Sequence, residues 1–101
     1  MDLEKLKTQL STTGYPVAYQ YFKSAQNFPY ICYRVAYSRN LAADSGVYIR
    51  LDRIQIELYT QIKDQQAEGK VEQALSSFFW EKTETYIESE KCYQIIYEIE
   101  V

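Results

Sequence analysis

Carboxylates, arginines and two thiols are the side chains of this sequence that could do chemistry. Glu84 with Glu88, and Glu98 with Glu100, stand close enough in the chain to share a proton or hold a divalent ion. Arg34, Arg50 and Arg53 could together form an anion site, but acidic residues lie among them. At alternate positions of a strand such charges make a solvated face, which is the reading we adopt for both sets. Cys32 and Cys92 are far apart and form no C-x-x-C pair; with no histidine in the chain, two cysteines cannot build a zinc site. They read as free, buried thiols rather than a disulfide. The absence of histidine also removes the commonest general base and every Ser/His or Cys/His nucleophile system. Only three glycines occur, in neither a G-x-G-x-x-G nor a P-loop spacing, so no cradle for a phosphate or dinucleotide is present. The expectation is a protein without cofactor or metal and without enzymatic activity.

The elements that would carry these residues are organised around residues 47–60, VYIRLDRIQIELYT. Val47, Ile49 and Leu51, then Ile54, Ile56 and Leu58, alternate with polar residues at the period of a half-buried strand. The parity changes across Asp52 and Arg53, so a β-bulge or sharp bend is expected there to keep the apolar side chains on one face. Fourteen residues at strand rise would reach about 45 Å, so part of this strand should project beyond the core.

Upstream, Asp2 caps a helix over residues 3–11 whose face carries Leu3, Leu6 and Leu10, and Gly14 ends it. Pro16 opens a strand over residues 17–22, and Pro29 a second over residues 30–38, apolar on both faces and hence central in the sheet. Residues 39–46, RNLAADSG, show no strand pattern and read as a long exposed loop between two paired strands. Downstream, Asp64 caps a helix over residues 65–79 with Ala67, Val71, Ala74, Leu75 and Phe78 in one stripe. Residues 80–89 alternate weakly and read as a strand or an extended connection, and a stronger strand follows over residues 92–101, with a turn at Ser89, Glu90 and Lys91. The expected fold is α+β, a mixed and mostly antiparallel sheet packed by two helices in the order α-β-β-β-α-β-β with a long β-hairpin, in one domain over residues 1–101.

Composition narrows the function classes. Apolar residues make up 47% and charged residues 25%, ordinary for a globular domain and too apolar for a disordered one. The net charge of −3 provides no field to gather phosphates, so nucleic-acid binding is not expected. No charged-then-apolar leader and no long apolar run stand in the sequence, so neither secretion nor a membrane span is expected. Eleven tyrosines are unusual. Tyrosine favours strands, and it is enriched on surfaces that are wet in a monomer and covered in a complex.

RIQIELYT, the acidic and lysine-bearing start of the second helix, and above all WEKTETYIESEKCYQIIYEIEV resemble a family of small proteins encoded in the head-to-tail gene block of phages and prophages of Gram-positive bacteria. The resemblance spans about residues 17–101, the final segment being its most specific part, and it includes no catalytic signature. The order of elements is similar, at fold level, to tail-terminator and tail-completion proteins of long-tailed phages. The resemblance implies a non-enzymatic structural protein that assembles with copies of itself into a ring of six, stopping growth of the tail tube and receiving the head connector. Its partners would be itself, the tail tube protein and head–tail connector proteins, with no membrane or specific nucleic-acid partner. Its place would be the host bacterial cytoplasm during assembly and then the head–tail junction of the virion. On that reading Arg39, Asn40, Leu41 and Asp44 of the loop, with Val47, Tyr48 and Arg50 of the projecting strand, form the subunit or partner interface. Two alternatives stay open: a head-side completion or stopper protein of the same connector, and a prophage module that binds and inhibits a host protein.

Overall fold

A computed structural model describes residues 2–42, 46 and 48–101 of the chain. Its elements are α1 (Leu3–Ser11), β1 (Val17–Tyr19), β2 (Tyr30–Ala42), β3 (Tyr48–Thr60), α2 (Gln65–Ala74), β4 (Trp80–Ile87) and β5 (Cys92–Glu100). The five strands form one sheet in the order β1-β2-β3-β5-β4. β1 runs parallel to β2 and every other neighbouring pair is antiparallel, giving the α+β fold with a long β2–β3 hairpin.

Local chemistry sets most of the boundaries. The Asp2 carboxylate accepts from the backbone N–H of Glu4 at 3.0 Å and Lys5 at 3.4 Å, satisfying amides that the first turn of α1 leaves open. After α1 the chain reverses through Gly14 at φ +85°, a conformation that a Cβ would strain. Asp64 caps α2 in the same way, accepting from Ala67 N–H at 3.0 Å. This helix ends at Ala74, not at residue 79 as the apolar stripe suggests. Leu75 has left helical geometry at ψ +16°, and the serines that follow favour turns over helix.

Both helices pack on one face of the sheet. Leu6 and Leu10 of α1 and Ala67 and Val71 of α2, with Leu75 just beyond it, meet Ile31, Tyr33, Ile54, Ile56, Leu58, Ile95, Tyr97 and Ile99 in a single core. Each fully buried aliphatic side chain contributes about 1.5–3 kcal/mol relative to exposure, so this face holds the domain together. The opposite face is open and carries mainly charged and polar side chains, the usual division of an antiparallel sheet.

Three expectations about the strands are corrected. β1 stops at Tyr19, because Gln20 takes φ +67° and turns the chain away after donating its N–H to Tyr33 O. β2 does not end at residue 38 but continues to Ala42, so Arg39, Asn40, Leu41 and Ala42 are strand and not loop. The irregularity expected at Asp52 and Arg53 lies instead on the partner strand. Val35 pairs with Ile54 and Tyr37 with Arg53, leaving Ala36 as the extra residue of a bulge. β3 itself alternates without a break, with Asp52, Ile54, Ile56, Leu58 and Thr60 all buried on the helix side. The parity change in its sequence is therefore a change of face: Ile49 and Leu51 lie on the open side of the sheet, because past Asp52 no helix covers the other side.

Candidate interaction arm

β3 pairs with β5 from Thr60 back to Arg53, and Asp52 and Val101 exchange backbone N–H···O bonds of 2.7 and 3.0 Å. Beyond that point β3 is paired only with β2 among the described residues, from Leu51 opposite Arg39 to Tyr48 opposite Ala42. The described part is a two-stranded arm about 13 Å long at strand rise. It accounts for the elongated outline of the molecule, 50 × 27 × 25 Å.

Asp52 anchors the base of the arm. Only 3% exposed, it accepts from Ser38 Oγ at 2.6 Å and from Arg50 Nε at 2.8 Å and Nη2 at 3.3 Å. The Arg50 guanidinium, and after it the Ser38 hydroxyl, hold the Asp52 carboxyl below the usual aspartate range. This carboxylate thus ties the two strands together where the core ends.

Along the arm, large apolar side chains are bare. Tyr37 is 57% exposed, Leu41 45% and Ile49 53% on the open face, and Tyr48 is 68% exposed on the other. Of the residues expected at an interface, Arg39, Asn40, Leu41, Tyr48 and Arg50 all lie on this arm, while Asp44 and Val47 lie outside the described residues. Arg39 Nη2 donates to Glu100 Oε1 at 2.9 Å, and Arg50 is spent partly on Asp52. Tyr37, Ile49, Ser38 and Asp52 were not among the residues expected at the interface. The signal was the parity change itself, with an acidic residue standing where the apolar alternation breaks.

The groups first considered for chemistry are distributed as ion pairs. On the open face, Arg53 Nε bonds Glu98 Oε2 at 2.9 Å and its Nη2 bonds Glu81 Oε1 at 3.2 Å, while Arg34 Nη2 bonds Gln55 Oε1 at 2.8 Å. Glu98 and Glu100 therefore answer to different arginines. Glu84 pairs with Lys63 at 2.6 Å, and Glu88 lies in the turn before β5. Among the described residues no group of three or more Cys, Asp or Glu side chains is arranged to hold a metal ion. No helix among them is long and apolar enough to cross a membrane.

Both cysteines are free and buried, as expected. Cys32 lines a cleft of about 430 Å³ between residues 20–26 and the open face, whose walls include Phe22, Tyr30 and Tyr59. Tyr30 stacks on Tyr59 with ring centroids 4.9 Å apart, so the ring faces are already occupied by one another. Burial, and secondarily the nearby Glu57 carboxylate, push the Cys32 thiol up to about 11, which makes it a poor nucleophile. The described residues bring together no paired nucleophile and base; their distinctive feature is the arm.

No protein-family model matches this chain, and a search among curated proteins finds no match.

Proposed function

We propose that the protein is a non-enzymatic virion structural protein of a phage or prophage, a tail terminator or tail-completion protein that forms a ring at the head–tail junction. The observation that carries the reading is the arm, a rigidly based ribbon whose Tyr37, Leu41, Tyr48 and Ile49 side chains are more than two-fifths exposed. A monomer gains nothing from holding these residues in water, whereas a neighbouring subunit or tail protein would cover them. Arg39, Asn40, Leu41, Tyr48 and Arg50, with Asp44 and Val47 between them in the sequence, are the residues assigned to that contact. The acidic balance of the chain, −3 overall, suits a ring through which DNA passes without being trapped.

The test measures solution mass over a range of concentrations, then images purified tail tubes incubated with the protein. Closed rings, and protein capping the tube ends, are expected. A variant in which residues 38–51 are replaced by a short turn should remain folded and lose both properties. Rings without tube capping would turn the assignment to the head-side stopper. Normal assembly by the shortened variant would refute the role given to the arm.

A further inference from the structure

We infer that successive copies join by strand addition, the outer edge of the arm's β2 strand pairing antiparallel with the outer edge of β4 on the next copy. The inference rests on the ring reading above and names the surfaces that would build it.

Both edges have unused backbone groups. Because Asp52 bonds outward to Val101, even-numbered residues of β3 turn their N–H and C=O towards β5 and odd-numbered ones towards β2. On the arm, β2 therefore bonds inward through Tyr37, Arg39 and Leu41, leaving Ser38, Asn40 and Ala42 directed outward. By the same alternation β5 meets β4 through Glu81, Thr83 and Thr85, leaving Lys82, Glu84 and Tyr86 directed outward. Among the described residues no strand pairs with either edge.

Neither edge is guarded in the usual way. Edge strands normally keep a charged side chain or a proline in the path of an incoming strand. The outward residues of the arm are small or short, Ser38, Asn40 and Ala42. On β4 the charges are tied back to the helix side, Lys82 to Glu68 at 3.1 Å and Glu72 at 2.9 Å, and Glu84 to Lys63 at 2.6 Å. The arm's other edge, on β3, offers only Tyr48 and Arg50, both bulky.

The two edges also differ in charge. The described arm beyond Asp52 carries Arg39 and Arg50 and no acidic residue, whereas β4 and the turn after it carry Glu81, Glu84, Glu88 and Glu90 against Lys82 and Lys91. One antiparallel register uses both charge and shape. It sets Arg39 beside Glu81, whose side chain is 81% exposed, and Leu41 beside Phe79, which at 101% is the most exposed large apolar residue described. Tyr37 then falls beside Thr83, and the outward residues Asn40 and Ser38 meet Trp80 and Lys82 in ladder positions. Outward residues on both edges carry their side chains on the helix side, so the open faces of neighbouring copies become one continuous surface. The two edges are different surfaces of the same chain, so every copy both gives and receives, and the assembly closes into a ring or runs on as a filament.

The experiment uses the full chain with Arg39→Glu, with Glu81→Arg, and with both substitutions. Each single reversal should raise the concentration needed for the large species by about tenfold or more, as like charges are forced together, and the double exchange should restore it. Circular dichroism confirms that each variant is folded. Independently, a mixture of Leu41→Cys and Phe79→Cys proteins should yield a covalent dimer on mild oxidation, since the native thiols are buried. Rings that form normally in both single reversals, or the absence of the mixed disulfide, would overturn the edge pairing and leave the ring reading standing. A parent protein that stays monomeric at every concentration and caps no tail tube would overturn both.

Discussion

Replacing Tyr97 by Phe should destabilise the domain by about 1.5 kcal/mol, because it removes one charge-assisted hydrogen bond to Glu72 and a long contact of 3.4 Å with the Glu68 carbonyl while keeping the ring. Tyr97 is fully buried on β5, and its ring meets Trp80 edge-on with centroids 5.4 Å apart; phenylalanine keeps that packing. The hydroxyl donates to Glu72 Oε2 at 2.8 Å and so ties α2 to the middle of the sheet. Hydrogen bonds to a charged group contribute about 1.5–3 kcal/mol. The lower end applies, because Glu72 keeps Lys82 Nζ at 2.9 Å and retains some solvent access, so the substitution leaves no bare carboxylate. At about 4–8 °C per kcal/mol for a domain of this size, the midpoint of thermal unfolding should fall by about 6–12 °C. Urea unfolding of the parent, Tyr97→Phe, Glu72→Gln and the double variant is the assay, and the double variant should cost less than the sum of the singles. A loss below about 0.5 kcal/mol, or strict additivity, would refute the claim that this bond joins helix to sheet. The same site has an alkaline signature. Burial, then the Glu72 bond, raise the hydroxyl well above the tyrosine range, so its contribution is complete below pH of about 10 and is lost as pH rises through the folded value.

Two further outcomes follow from the arm and the cleft. The Asp52 carboxyl is depressed in the fold, so its contribution is present above the ordinary aspartate range of about 3.9 and is lost as pH falls through the folded value. Hydrogen exchange should therefore show the amides that join β2 to β3 along the arm losing protection on acidification before those of Ile54 and Leu58, and Asp52→Asn should remove that pH dependence; simultaneous loss across arm and core would contradict the anchoring role. Cys32, 4% exposed and raised to about 11, should react with a thiol reagent at neutral pH only after unfolding. Stoichiometric labelling of the native protein within minutes would show that the cleft opens far more readily than its packing implies.

The first helix, the start of the second and the final strand were legible because each is written in a single periodicity with its own punctuation. Asp2 and Asp64 cap as their positions suggest, and Tyr93, Ile95, Tyr97 and Ile99 face the helices while Gln94, Glu98 and Glu100 face out. What failed was local competition. The stripe through Phe78 is real in the sense that Phe78 packs on the core, but it gets there by a turn, its N–H donating to Leu75 O at 2.9 Å, rather than by helix. Residues 39–42 carried no strand signature because alternation reports burial, and a ribbon exposed on both faces has no burial to report.

That same limit explains why the arm was placed correctly in the chain and wrongly in form. Its sequence contains two readable marks, the change of parity in β3 and the single acidic residue between the two halves, and both had been assigned to a bulge at Asp52 and Arg53. A bulge would have returned Ile49 and Leu51 to the helix side. Putting the extra residue at Ala36 of β2 instead leaves β3 regular, so those residues remain on the open face beyond the reach of either helix. One buried carboxylate then holds the ribbon where the core stops, binding Ser38 from one strand and Arg50 from the other. A chain that needed only to fold could have ended its hairpin at that point. Continuing it for four more residue pairs, with Leu41 and Ile49 uncovered, is what the assembly proposed above would explain.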